Sequence, residues 1–255
     1  MKFESLKLLV CTRNFECDKD FCMSTVVVTP LHRVVRFYEA PIGKKAIMAV
    51  TGVILFGYVV GHLAGNLQIY SADPDQINRY AAFLHSPSNL PLLWLARLAL
   101  LVAVGMHIVA AVQLTKLKGE ARPVGYAKKQ DAAASYASRT MIWSGYIVAA
   151  FVIFHVLHLT VGAVVPIREL GPNMPDVRSN VIDGFQNPLI SGFYILAMIL
   201  LCMHLYHGLW SMFQSLGFHS RRYTPKLQKS AAIVAILIAV GNCSIPIAVM
   251  AGILR

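Results

Sequence analysis

Six histidines lie inside long apolar runs that contain no Asp or Glu, and this combination constrains the chain more than any other feature. The runs are Ala46 to Tyr70, Leu92 to Thr115, Thr140 to Val165, Leu189 to Gln214 and Leu227 to Leu254. A helix needs about 20 apolar residues to cross the hydrocarbon core of a bilayer, so each run predicts one membrane span. The expected fold is an all-α integral membrane protein with five transmembrane helices in a single domain, residues 46–255. Charged residues make up only 14% of the chain, against roughly 25% in soluble proteins.

Imidazoles at membrane depth need a reason. Ionisable groups there face a bundle interior or a cavity and mark function. Span one carries His62, span two His107, span three His155 and His158, and span four His204 and His207. The two pairs are spaced i, i+3, which puts both members on one helical face. Span five has no histidine; with Gly241 and Pro246 it is expected to complete the packing around the other four.

The formal charge of +11 resides in the short connections and not in a continuous basic surface, so it argues for topology and against nucleic acid. Arg33, Arg36, Lys44 and Lys45 precede span one, and only Arg79 follows it. The second connection holds Lys116, Lys118, Arg122, Lys128, Lys129 and Arg139. In the third, Arg168 and Arg178 are diluted by Glu169, Asp176 and Asp183; the fourth is basic again, with Arg221, Arg222, Lys226 and Lys229. By the positive-inside rule the N-terminus is cytoplasmic and the C-terminus outside.

That topology sets the depth of each histidine at ~1.5 Å per helical residue. His62 falls ~25 Å from the cytoplasmic start of span one, and His155 and His158 ~24 to 28 Å from that of span three. His107 lies ~13 Å deep, and His204 and His207 ~15 and ~10 Å deep, counted from their cytoplasmic ends. The histidines thus form an outer layer on spans one and three and an inner layer on spans two and four, ~12 Å apart. Four helices offering imidazoles at two levels suggest two haem sites. There is no CxxCH motif, so such haems would be held by ligation and packing. The lack of Asp and Glu in the spans excludes a carboxylate-rich di-iron centre. Two histidines per iron leave no open position, which points to electron transfer.

The remaining segments carry weaker signals. Residues 1–22 are expected to be a disordered extension, with Met23 as an alternative translation start, and Cys11, Cys17 and Cys22 in it lack a metal-site spacing. Residues 23–45 form a cytoplasmic lead-in; Thr29 to Lys45, which includes His32, is basic and amphipathic and suits either the membrane face or a docked partner. Gly57, Gly61 and Gly65 make a smooth helix face, for close helix packing or for a flat macrocycle beside His62. The first external connection contains one short helical piece, INRYAAFLH, with Arg79 and His85 in a solvated loop or at the mouth of a quinone site. Arg97 can reach a haem propionate or snorkel to the interface; Trp94, Trp143 and Tyr146 read as interfacial anchors.

Four segments in order, GHLAGNL in span one, GMHIVAA in span two, SRTMIWSGYIVAAFVIFHVLHLT in span three and MHLYHGLWSMFQSLG in span four, resemble the membrane cytochrome b subunit of bacterial succinate:quinone oxidoreductases. That family includes the quinol:fumarate reductases, and the likeness is to its single-chain, five-helix, dihaem kind, over residues 44–254. The resemblance implies two haem b groups, with His62 and His158 as axial ligands of the distal haem and His107 and His204 as those of the proximal one. His155 and His207 are the alternates. It further implies a flavoprotein subunit with covalent flavin and an iron–sulfur subunit docked on the basic inner loops, a menaquinone-type quinone, and the bacterial cytoplasmic (inner) membrane. The chain would then carry electrons as a membrane anchor, with no dicarboxylate chemistry of its own. It departs from the family pattern where some members have glutamates: Met203 and Cys202 precede the span-four histidine, and Tyr80 stands near the outer end of span two. Two other readings suit the same residues: the cytochrome b anchor of a hydrogenase or formate dehydrogenase, and a haem-free transporter or structural anchor.

Overall fold

The computed structural model describes residues 30–121, 136–171, 174–218 and 220–255. The expected N-terminal extension and the basic residues Arg122, Lys128 and Lys129 lie outside them. Five helices are long and apolar enough to cross a membrane, as hydropathy predicts: α2 (Pro41–Asn66), α4 (Leu90–Glu120), α5 (Tyr136–Val156), α7 (Pro188–Ser215) and α8 (Thr224–Met250). The protein is an all-α integral membrane protein. Proline in the first turn starts α2, α4, α7 and α8, where its missing N–H costs nothing and its fixed φ suits the helix. α2 and α4 extend beyond the expected spans because polar residues continue a helix once its apolar part is set.

The amphipathic lead-in is a separate helix, α1 (Pro30–Glu39). It stops at Ala40, whose extended backbone is what a following proline demands. Lys44 closes the break: its Nζ donates to the Tyr38 and Glu39 carbonyls at 2.9 and 2.7 Å. Gly43 is required here, since a Cβ would fall 1.8 Å from the Phe37 carbonyl oxygen.

α7 is the central helix. It packs most extensively against α8, then α5, with further contact to α2, while α2 packs on α4. α5 does not lie extensively against α2, nor α4 against α7, so these two pairs face each other across the bundle. α8 approaches α2 closely at Gly241, where a Cβ would meet Leu63 at 3.0 Å. Pro246 is fully buried inside α8, as a packing residue.

The connections that follow α2 and α5 hold more structure than their sequence suggests. The expected short helix is present as α3 (Gln76–His85). The third connection contains a two-stranded antiparallel pair, β1 (Glu169–Gly171) with β2 (Met174–Pro175), and a further helix, α6 (Val177–Phe185). α5 ends in a π turn, Leu157–Val161, closed by Gly162 at φ +74°, the left-handed geometry that glycine accepts at a helix end.

Polar side chains staple this end together. Asp176 caps α6 by accepting from the Ser179 amide at 3.1 Å, and also accepts from Asn78 Nδ2 at 3.0 Å. Asn180 exchanges two hydrogen bonds with the Arg168 backbone. Arg178 reaches the Ile69 and Arg255 carbonyls. Burial pushes the Asp176 carboxyl up, but its bonds from Ser179 and Asn78, with Arg168 nearby, outweigh this and hold it below the usual carboxylate range. Its contribution to stability is therefore complete above pH ~3.8 and lost as pH falls through the lowered folded value. Asp176→Ala is expected to cost about 1 kcal/mol as a lost N-cap, read as faster amide hydrogen exchange in α6 and unchanged exchange in α8.

Candidate functional site

The histidines of α4 and α7 meet at one level of the bundle, the one expected to be the inner. His107 and His204 have ring centroids 6.4 Å apart, and each is held by a hydroxyl from the helix packed beside its own. Thr51 Oγ1 of α2 lies 3.1 Å from His107 Nδ1, and Ser144 Oγ of α5 lies 3.4 Å from His204 Nδ1. Both hydroxyl protons are already committed, Thr51 to the Ile47 carbonyl at 2.7 Å and Ser144 to the Met141 carbonyl at 3.0 Å. With its proton on that carbonyl each hydroxyl can only accept, which assigns the Nδ1–H tautomer to both histidines. The Nε2 lone pair is left free. Gly52 and Gly145 give the rings room: a Cβ on either would touch Cε1 of His107 at 3.6 Å or of His204 at 3.8 Å.

At the outer level the structure departs from the expected pairing. His155, and not His158, faces His62, with ring centroids 5.7 Å apart. His158 is turned away, 1% exposed, against Phe154, Phe185 and Tyr194. Its Nε2 abuts α6, only 2.7 Å from where a Cβ on Gly184 would be, and is buried without a hydrogen-bond partner. The physical reason is the π turn: regular helix ends at Val156, so the i, i+3 spacing no longer decides which of the two rings faces α2. Tyr194 Oη links the pair, 3.2 Å from His155 Nδ1 and 2.9 Å from His158 Nδ1. One phenol proton can go to only one of them. The arrangement in which His155 donates to Tyr194 and Tyr194 to His158 frees the His155 Nε2 lone pair and leaves His158 Nε2–H buried without a partner; the reverse arrangement frees the His158 Nε2 lone pair instead.

These residues fit a pair of bis-histidine haems. Two imidazoles on one metal need two bonds of about 2.0–2.1 Å plus about 1.1 Å from each nitrogen to its ring centre, about 6.3 Å in all. The observed 6.4 and 5.7 Å separations lie close to that. The helices that supply each pair face each other across the bundle. Gly61, Gly105 and Gly208, neighbours of the histidines in sequence, would have nothing within 4 Å of an added Cβ among the described residues, while Gly65 is covered by Tyr80 at 3.0 Å. His207, the alternate in α7, does not join His107. It stands edge-on to Trp210 at 5.3 Å, and His207 Nδ1 and Trp210 Nε1 are buried without partners. Such groups, nearly one turn and nearly two turns along α7 from His204, suit the carboxylates of a macrocycle. Among the described residues no group of three or more His, Cys, Asp and Glu converges as a site for a bare ion.

The outer rim is polar. Tyr58 stacks on His62 at 5.3 Å, and Arg97 lies over Trp94 at 5.0 Å. An open hollow of about 620 Å³ is lined by Ala64, Leu67, Gln68, Tyr70, Ser71 and Gln76. His85 is bonded to its own helix through the Ala81 carbonyl at 2.9 Å, and Arg79 pairs with Asp73, whose carboxyl this bond holds below the usual range. Neither residue points to a ligand.

Thr51, Ser144 and Tyr194 escape a reading based on histidines alone. A signal for two of them exists: Thr51-Gly52 and Ser144-Gly145 stand eleven residues before His62 and His155. Comparison of the chain with protein-family models, curated proteins and solved structures finds no match.

Proposed function

We propose that this chain is the dihaem cytochrome b anchor of a succinate:quinone oxidoreductase or quinol:fumarate reductase. It would carry electrons between an iron–sulfur subunit, itself joined to a flavoprotein subunit, and membrane quinone. The observation that carries the reading is the meeting of His107 with His204 and of His62 with His155 at two levels of one membrane bundle. His155 takes the place that the resemblance gave to His158. When bound, each haem would supply one-electron Fe(III)/Fe(II) chemistry, one held by His107 and His204 and the other by His62 and His155.

The chain's own residues do the rest. Thr51, Ser144 and Tyr194 orient the imidazoles and hold their protons on Nδ1. Apolar side chains of the spans keep water from the electron path. Basic residues at one end, Lys116, Lys118, Arg221, Arg222, Lys226 and Lys229, offer a docking surface to the soluble subunits. At the other end the hollow beside Gln68 and Gln76 offers hydrogen bonds to a quinone carbonyl, where quinone takes two electrons and two protons to become quinol.

The test is a dithionite-reduced minus oxidised spectrum of the complex purified with its associated subunits, alongside a quantitative haem assay. Two b-type haems per chain, reducible by succinate, are expected. Two haems unresponsive to succinate would move the reading to a hydrogenase or formate dehydrogenase anchor, and a colourless, well-folded complex would overturn it in favour of a transporter or structural anchor.

A further inference from the structure

We propose that Thr51 and Ser144 are positioning residues for the inner haem, placed at equivalent points of an internal repeat that pairs α2–α4 with α5–α7. The inference rests on the two-haem reading above and adds to it which residues control one haem apart from the other.

The repeat is visible at three places. α2 contains Thr51-Gly52 and then His62, and α5 contains Ser144-Gly145 and then His155, with the same eleven-residue interval from hydroxyl to histidine. The helix packed on each carries a Met-His step, Met106-His107 on α4 and Met203-His204 on α7. The contacts repeat as well: each hydroxyl meets Nδ1 of the histidine on the adjacent helix, and each glycine sits against that ring's Cε1. Eleven residues are close to three helical turns at 3.6 per turn. The hydroxyl and the histidine of one helix therefore share a face, ~16 Å apart along the axis. Each half thus supplies one outer ligand, one inner ligand and the hydroxyl that orients the inner ligand.

The consequence is chemical. An acceptor on the distal N–H of a metal-bound imidazole raises its basicity and fixes the ring orientation, and a more basic ligand favours the ferric ion. The two hydroxyls therefore lower the potential of the inner haem and leave the outer one alone, whose ligand His155 uses Tyr194 instead.

The experiment is a redox titration of both haems in the intact complex, by optical spectrum and by the ferric EPR signals, for the wild type and for Thr51→Val, Ser144→Ala and Thr51→Ser. Thr51→Val is expected to shift the inner haem to higher potential and to change its EPR signal, and Ser144→Ala to do so less, its contact being longer. Thr51→Ser should return the wild-type values, and the outer haem should stay in place throughout. Loss of the inner haem in Thr51→Val with retention in Thr51→Ser would support the same role. An unmoved inner haem in both Thr51→Val and Ser144→Ala, or equal shifts of both haems, would overturn it. Absence of haem from the wild-type complex would overturn the proposed function instead, so the two failures are separable.

Discussion

Alanine at His204 is expected to halve the haem content of the complex, removing the inner haem and leaving the outer one. His107 and His204 come from α4 and α7, which face each other across the bundle, so a single imidazole has no second ligand within reach. His207 does not replace it, because its ring is turned to Trp210. The electron path would be interrupted at its inner station. Quinone reduction by succinate should fall to background while reduction of a soluble dye by the catalytic subunits persists. Haem stoichiometry and the paired assays read this directly; retention of both haems would show that His204 is not a ligand.

The second large effect separates two histidines that differ by three positions. His155→Ala is expected to remove the outer haem, as His62→Ala should, whereas His158→Ala should retain both haems and lose stability. The geometry behind this is the 5.7 Å approach of His155 to His62 and the enclosure of His158 between Tyr194 and Gly184. His158→Ala leaves the Tyr194 hydroxyl without one partner, a cost of about 1–3 kcal/mol. A haem assay and a thermal melt of the three variants distinguish the roles, and the opposite pattern, haem lost only in His158→Ala, would restore the ligand that the family resemblance implies.

Much of this architecture can be read in one dimension. Hydropathy along the chain is enough for five spanning helices, because the bilayer asks only for length and apolar composition. The spacing of the histidines along their spans follows from the fixed rise of a helix, and so the sorting into two layers, one with His62 and His155 or His158 and the other with His107 and His204 or His207, needs no tertiary contact. The spacing of Thr51 and Ser144 from His62 and His155 was also present in the linear order, although its meaning depends on which helices adjoin.

Packing alone settled the rest. The choice of His155 over His158 to face His62 turns on a π turn and on α6, a nine-residue helix whose cap, Asp176, draws on Asn78 from another connection. The orientation of His204 toward His107, with His207 beside Trp210, depends on where α7 stands relative to α4. The hydroxyl partners that leave each inner Nε2 free come from neighbouring helices far away in sequence. Periodicity assigns a side chain to a face of its own helix, but only the positions of the other helices determine what that face meets.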